Sequence, residues 1–119
     1  MLHRQAAGSL KVCQKLAGDS SIAERIIGLQ AQQTVEKALK VALVLVGTEL
    51  PLTHDLHALA DLVAGSPAGL PTQIKDTEWL TLWAADLEYE EPAGLDRTAA
   101  LAAAENAHRW ASSLLARGD

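Results

Sequence analysis

Residues 30–46 read QAQQTVEKALKVALVLV, and this stretch decides the fold. On a helix that advances by about 100° per residue, its apolar and polar positions separate onto two faces. The apolar face carries Ala31, Val35, Ala38, Leu39, Ala42 and Val46. The polar face carries Gln33, Glu36, Lys37 and Lys40. Because alanine and valine let a second helix approach closely, the stretch predicts the central helix of a small antiparallel bundle, with its polar face in water.

The composition of the whole chain also favours a helical protein. The chain has 119 residues, and we expect residues 1–119 to form a single domain around one core. Alanine and leucine dominate, phenylalanine is absent, and the aromatic residues are three tryptophans and one tyrosine. The net charge of −5 argues against extended DNA binding, because that requires clustered lysines and arginines.

Cysteine usage and hydropathy bear on the compartment. Cys13 is the only cysteine, so it forms no disulfide within the chain and has no cysteine partner for a zinc site. We expect a buried thiol in a reducing compartment. The longest apolar run, residues 41–46, is much shorter than the roughly 20 residues that span a bilayer. The sequence therefore predicts a cytoplasmic protein without a membrane partner.

Local signals place further helices around the central one. The first helix covers residues 1–17. Ser21 and Glu24 have the spacing of a capping box and predict the start of the second helix, which ends at Gly47. Thr53 is the predicted N-cap of the third helix, with Asp55 in its first turn.

Two more helices are predicted in the second half of the chain. The fourth begins near Pro71 and ends at residues 90–94, and its apolar residues should pack in the core or an interface. These apolar residues are Trp79, Leu80, Trp83 and Leu87. Asp96 is the predicted cap of the last helix, whose small-residue stripe is Ala100, Ala104, Ala107, Ala111 and Leu114. The predicted fold is all-α, an up-and-down antiparallel bundle of four to five helices.

A separate apolar group lies at the start of the second helix. Its members are Ile22, Ile26 and Leu29, on the side of the helix that later carries polar residues. Two explanations fit this change of side. The group either forms the interface of a homodimer or packs against the first helix of its own chain.

Two motifs give the chain a resemblance to a known family. Residues 32–40 read QQTVEKALK, and after the helix end residues 53–56 read THDL. Together they resemble the HEPN domain, a small helical-bundle module named for its nucleotide-binding occurrence in higher eukaryotes and prokaryotes. The likeness extends over most of the chain, including residues 84–89 (AADLEY) and the alanine-rich last helix with Trp110.

The resemblance implies a bundle of four to five helices that often dimerises. Such domains are frequently encoded beside a minimal nucleotidyltransferase, in pairs that behave as toxin and antitoxin. Many catalytic members are metal-independent ribonucleases that use an arginine, four to six residues and then a histidine. Neither His57 nor His108 has an arginine at that spacing, and Arg97 precedes His108 by eleven residues. At the usual Arg-Tyr pair of the short members, this chain has Glu88 and Tyr89, which reverses the charge.

A polar groove is the candidate binding site. We expect His54 to lie near Gln33 and Lys37, where a neutral imidazole can act as an acid or a base. The candidate ligand-binding residues are Gln33, Lys37, Lys40, His54 and Tyr89. The alternatives are that His54 seals a helix start and that the lysines form a solvated helix face.

No catalytic residue, metal ligand or cofactor is predicted. Asp55 and Asp61 are six residues apart, which places their side chains on different faces of a helix. The chain has no glycine-rich phosphate loop and no serine–histidine–aspartate set.

Two functions from different classes follow from this reading. The first is a non-catalytic, homodimeric binding and assembly module that presents the polar groove to a nucleotide or to a minimal nucleotidyltransferase. The second is a metal-independent ribonuclease toxin. Its active site would be assembled across the dimer from His54, His57 or His108 and a basic residue elsewhere.

Overall fold

The regular structure of the chain is helical throughout the part described by a computed structural model, residues 1–83 and 94–117. The elements are α1 (Leu2–Leu16), α2 (Glu24–Leu45), α3 (Leu56–Ala64), α4 (Thr72–Lys75), a 3-10 helix η1 (Glu78–Trp83) and α5 (Arg97–Arg117). The predicted all-α bundle is confirmed. Within these same ranges, no helix combines the length and the hydropathy needed to cross a membrane.

Helices α1, α2 and α5 form the body of the bundle, and α2 also contacts α3 and η1. Contacts at both ends show that α1 and α5 run antiparallel. Near the start of α1, His3 Nε2 lies 2.8 Å from Ser112 Oγ, which is near the end of α5. Beyond the end of α1, the carbonyl of Ala17 accepts a hydrogen bond from Arg97, the first residue of α5.

The core lies along α2 and α5, on the faces that the sequence predicts. In α2, the fully buried positions include Ala31, Val35, Ala38, Leu39 and Ala42. Val46 lies just past the end of α2 and is half-buried. In α5, the predicted stripe of Ala100, Ala104, Ala107, Ala111 and Leu114 is buried. Small side chains on both helices allow the close approach that the sequence indicates. The thiol of Cys13 is buried as expected.

The predicted start signals of α2 and α3 are wrong by a few residues. Helix α2 begins at Glu24 with Ala23 as N-cap. Ser21 does not cap it, because its amide and hydroxyl both donate to Asp19 Oδ1 in the preceding turn. The N-cap of α3 is Asp55, whose carboxylate accepts from the amide of His57 at 3.0 Å.

Thr53 instead accepts from the amide of Asp55 at 3.0 Å, so its hydroxyl orders the approach to α3. His54 therefore precedes α3 and does not begin it. The predicted cap of α5 is confirmed, because Asp96 Oδ1 accepts from the amide of Ala99 at 2.9 Å.

The single fourth helix predicted from Pro71 onward is also wrong. The chain forms the four-residue α4 and then η1, with a turn between them. The hydroxyl of Thr77 in this turn donates to the carbonyl of Ile74 and competes with a continuing helix. Leu80 and Trp83 are buried, whereas Trp79 is 38% exposed. Leu87 lies outside the described residues.

The indole of Trp83 packs directly on α2 at Gly28. A Cβ built on Gly28 would lie 2.5 Å from Trp83 Cδ2 and 2.7 Å from two further atoms of the same side chain. Only a residue without a side chain leaves room for the ring there. This contact fixes η1 across the first half of α2.

Candidate functional site

A buried carboxylate organises the polar residues of α2. Glu36 is only 5% exposed, although the sequence pattern assigns it to the wet face of the helix. That prediction is wrong. The carboxylate is buried because the loop before α3 folds back over this part of α2, where it supplies His54 as a hydrogen-bond partner. A buried charge is tolerated when such partners satisfy it.

Three side chains donate to the two oxygens of Glu36. Oε1 accepts from Gln32 Nε2 at 2.8 Å and from His54 Nδ1 at 2.9 Å. Oε2 accepts from Lys40 Nζ at 3.0 Å. Gln32 Nε2 also donates to the carbonyl of His54 at 3.1 Å. We call Gln32, Glu36, Lys40 and His54 the polar cluster.

The hydrogen bonds keep Glu36 charged. Burial raises the pKa of the carboxyl, but the hydrogen bonds from Gln32, Lys40 and His54 lower it by more, so the pKa lies below its ordinary value. An ionised carboxylate can only accept, so His54 donates through Nδ1. In the neutral ring, Nε2 is then the acceptor, on a side chain that is 55% exposed. The cluster thus holds one imidazole in a fixed orientation with its outer nitrogen toward water.

The polar cluster overlaps the predicted ligand set only in part. Lys40 and His54 are brought together, with Glu36 between them. Gln33 and Lys37 are half-buried on α2, but the neighbours of His54 are Gln32 and Glu36 in their place. Tyr89 lies outside the described residues. Sequence reasoning missed Gln32 and Glu36 as site residues. The available signal was the four-residue spacing of Gln32, Glu36 and Lys40, which places them on one side of a helix.

Comparison with known proteins identifies the family. A family model described as the HEPN domain matches residues 2–114. The chain belongs to the HEPN domain family. No curated protein and no solved structure gives a significant match to the chain. The resemblance seen in residues 32–40 and 53–56 is thereby confirmed, and the helical bundle is the fold of a HEPN domain.

The three histidines considered for a HEPN ribonuclease site belong to separate groups within one chain. His54 contacts Glu36 of the polar cluster. His57 Nδ1 lies 3.0 Å from Glu78 Oε1 and Nε2 lies 3.3 Å from Asp61 Oδ2. The hydrogen bond to Glu78, followed by the charges of Asp61 and Glu78, raises the pKa of His57.

His108 stacks on His3, with ring centroids 4.8 Å apart. Burial, and to a lesser degree the neighbouring His3, lowers the pKa of His108. The three histidines of this chain therefore have different contact partners: Glu36 for His54, Glu78 and Asp61 for His57, and His3 for His108.

The side chain of Arg97 binds backbone carbonyls of the loop before α2. Its guanidinium donates to the carbonyl of Asp19 at 2.9 Å, to that of Ala17 at 3.4 Å and to that of Ile22. These carbonyls lie just beyond the end of α1, where a cation is favoured by the helix dipole. The side chain therefore ties α5 to the α1–α2 loop, which is a structural role.

The aspartates that resemble a metal pair have separate partners. Asp55 caps α3, and Asp61 contacts His57. Across residues 1–83 and 94–117, no three histidine, cysteine, aspartate or glutamate side chains come together as metal ligands.

The residues of the predicted dimer interface differ in exposure. Ile22 precedes α2 and is partly buried against the core. Ile26 is 44% exposed on the first turns of α2, and Leu29 is half-buried. The packing of Ile22 agrees with contact inside the chain, whereas the exposed Ile26 is available to a second copy.

Proposed function

We propose that this HEPN domain is a non-catalytic binding and assembly module whose ligand contacts the polar cluster. The observation that carries the proposal is the buried Glu36, which fixes the exposed imidazole of His54 beside the ammonium group of Lys40. The ammonium group of Lys40 can donate to phosphate, and Nε2 of a neutral His54 can accept from a base amino group. A nucleotide, or a nucleotidyltransferase that presents one, fits this chemistry.

Charge and sequence favour binding over catalysis. The chain lacks the arginine-to-histidine spacing of the ribonuclease members, and Arg97 is held by three backbone carbonyls. The ammonium group of Lys40 is partly neutralised by Glu36 at 3.0 Å. With a net charge of −5, a long RNA would meet repulsion from most of the surface. A small ligand that touches only the polar cluster avoids much of that repulsion.

Thermal shift measurements with ATP test the binding proposal. We expect ATP to raise the melting temperature of the purified protein, because a ligand that binds only the folded state stabilises it. Inorganic phosphate and sulfate at the same concentration should do less. The ATP effect should be lost in His54→Ala and Lys40→Gln and retained in His57→Ala, whose exposed imidazole belongs to a different group. Equal shifts in all three variants would contradict the proposal.

A nucleotidyltransferase partner calls for a second assay. If the gene beside this one encodes a minimal nucleotidyltransferase, the two proteins should co-elute on size exclusion. Loss of co-elution in His54→Ala, with normal elution of His57→Ala, would support docking on the polar cluster. Co-elution that is equal in both variants would place the contact elsewhere.

We also propose that the module is a homodimer that uses Ile22, Ile26 and Leu29. The support is the exposed apolar side chain of Ile26 at the start of α2. Light scattering on Ile26→Glu should give a monomer mass where the wild type gives a dimer mass. Val12→Glu is a matched control, because Val12 is a similarly exposed apolar residue on α1. An unchanged dimer mass in Ile26→Glu would remove this interface.

The second candidate function is a metal-independent ribonuclease of a toxin–antitoxin pair. The observation that favours it is the Glu36–His54 pair, since a carboxylate at Nδ1 orients an imidazole as a general base. In such a reaction, Nε2 would take the proton of a ribose 2′-hydroxyl while the 2′-oxygen attacks the adjacent phosphorus. The bond from phosphorus to the 5′-oxygen breaks, and this oxygen takes a proton from water. Cleavage of mixed RNA in EDTA by the wild type, absent in His54→Ala, would establish the enzyme. Intact RNA with both proteins would exclude it.

A further inference from the structure

The contact between α1 and α5 contains two stacked imidazoles. The rings of His3 and His108 have centroids 4.8 Å apart and planes that differ by 19°. His3 Nε2 lies 2.8 Å from Ser112 Oγ. His108 Nε2 is buried and has no hydrogen-bond partner in the part of the chain that the structure describes. Neither ring contributes to the polar cluster.

Few charged groups face this histidine pair. A cleft beside His108 is lined on the α5 side by Glu105 and Arg109. Glu105 accepts from Gln14 of α1 at 3.0 Å, and Arg109 donates to Asn106 at 3.0 Å. Each of these charged side chains therefore has a hydrogen-bond partner other than His108.

The surroundings of His3 are mainly apolar. A groove of about 270 Å³ beside His3 is lined by Met1, Leu2, Val41, Val44, Leu45 and Leu115. Helix α2 thus contributes only apolar side chains to this groove, and the terminal amine of Met1 adds a positive charge if it is free. Arg4 follows His3 directly in α1 and is exposed. The groups on α1 next to His3 therefore oppose a further positive charge.

We propose that the His3–His108 pair is a pH-sensitive latch, which holds the first turns of α1 on α5 while the rings are neutral and releases them on protonation. Two imidazolium rings stacked at this distance repel each other, and water is largely excluded from one side of His108. Release of α1 separates the charges and hydrates both rings.

The direction of the pH effect follows from His108. Burial, and after it His3, lowers the pKa of His108 in the latched state below its ordinary value of 6.5. The released state therefore binds more protons at mildly acidic pH, and acid favours it. The latch is fully favourable above the ordinary pKa of histidine. It weakens as the pH falls below that value.

Hydrogen exchange with mass spectrometry tests the latch, with rates corrected for the intrinsic effect of pH. We expect protection of residues 2–10 to fall severalfold between about pH 7 and about pH 5, the range in which histidine charges, while the centre of α2 stays protected. His3→Phe keeps a flat ring in the stack but cannot ionise. Only the burial of His108 then lowers its pKa, so the loss of protection between these pH values should be smaller than in the wild type. His57→Gln is the control and should behave like the wild type.

Two results would overturn the proposal. One is wild-type protection of residues 2–10 that does not change with pH. The other is a loss in His3→Phe as large as the loss in the wild type. If His3→Phe has a reduced helical signal by circular dichroism, His108→Gln serves as the second variant. It should remove the pH dependence, because it removes the buried imidazole whose pKa is lowered.

Discussion

At the scale of single residues, Glu36 is the residue on which the polar cluster depends most. Its carboxylate is buried, and three donors from two different elements satisfy it. One of them, His54, comes from the loop before α3, so the same hydrogen bonds that solvate Glu36 also fix that loop on α2. Removing the carboxylate group would leave the donors of Gln32 and Lys40 without their acceptor. The orientation of His54 would then no longer be determined.

A neutral replacement of Glu36 measures this dependence. Glu36→Gln keeps the shape of the side chain but loses the charge, and its amide group faces donors. We expect a loss of about 1 to 3 kcal/mol in the free energy of unfolding, measured by urea denaturation. Glu49→Gln, at an exposed position of the same loop region, should stay within about 0.5 kcal/mol of the wild type. Equal losses in the two variants would contradict the role of the polar cluster.

The same carboxylate gives a signed dependence on acid. The pKa of Glu36 is lowered in the folded state, so its stabilisation is present above the ordinary value of 4.5 and is lost as the pH falls through the folded pKa. Glu36→Gln should therefore lose less stability than the wild type when the pH is lowered below that ordinary value.

At the scale of elements, the sequence predicts the long helices well and the segment from Pro71 to Trp83 poorly. Alanines that recur every three to four residues in α2 and α5 fit one buried stripe, and the structure buries them. The apolar residues of η1 fit an α-helix equally well by spacing. The Thr77 hydroxyl interrupts a continuing helix, and the Trp83 indole packs in the space left by Gly28, far away in the sequence. Local periodicity does not contain that information.

The candidate site was only half predictable for a related reason. The four-residue spacing of Gln32, Glu36 and Lys40 is visible in the sequence, but a periodicity argument assigns polar residues to water. The carboxylate of Glu36 is satisfied by Gln32 and Lys40 of the same helix and by His54, which reaches it from 18 positions away. The sequence names Lys40 and His54 as candidate ligand-binding residues but not Glu36, which accepts from both.

Substitution of two glycines tests the packing of η1 on α2. Gly28→Ala places a Cβ 2.5 Å from the Trp83 side chain, so the indole must move. We expect a loss of about 1 to 3 kcal/mol in the free energy of unfolding, typical of an overpacked core. Gly8→Ala in α1 meets no atom within 4 Å and should stabilise by about 0.5 to 1 kcal/mol, since alanine favours a helix. A neutral Gly28→Ala would show that Trp83 is not fixed there.

At the scale of the whole molecule, two groups of histidines respond to pH with opposite signs. His57 is an exposed link between α3 and η1, and its contacts with Glu78 and Asp61 raise its pKa. The His3–His108 pair joins α1 to α5, and the pKa of His108 is lowered. Acid therefore strengthens the contact between α3 and η1 and weakens the contact between α1 and α5. The bundle should therefore be most stable near the ordinary histidine pKa of 6.5, where the contact of His57 is still charged and His108 is still neutral.

The contacts of His57 should make the stability of the bundle fall as the pH rises. A raised pKa means that its stabilisation is fully present below the ordinary value of 6.5 and is lost as the pH rises through the folded pKa. We expect the urea midpoint of the wild type to fall slightly as the pH is raised through the folded pKa of His57. The urea midpoint of His57→Gln should not change with pH over the same range. Because the group is exposed, added salt should reduce the difference. If the urea midpoint of His57→Gln also fell as the pH rises, the effect would belong to another titrating group.

The hold of Arg97 on the α1–α2 loop also bears on the order of folding. Its carbonyl partners lie 75 to 80 positions away along the chain, so these bonds close only after most of the backbone has collapsed. The hairpin of α1 and α2 is free to form earlier. In stopped-flow experiments, Arg97→Gln should therefore refold at nearly the native rate and unfold faster. The hydrogen bonds of Arg97, which form late in folding, would therefore control how long the folded bundle persists more than how fast it folds.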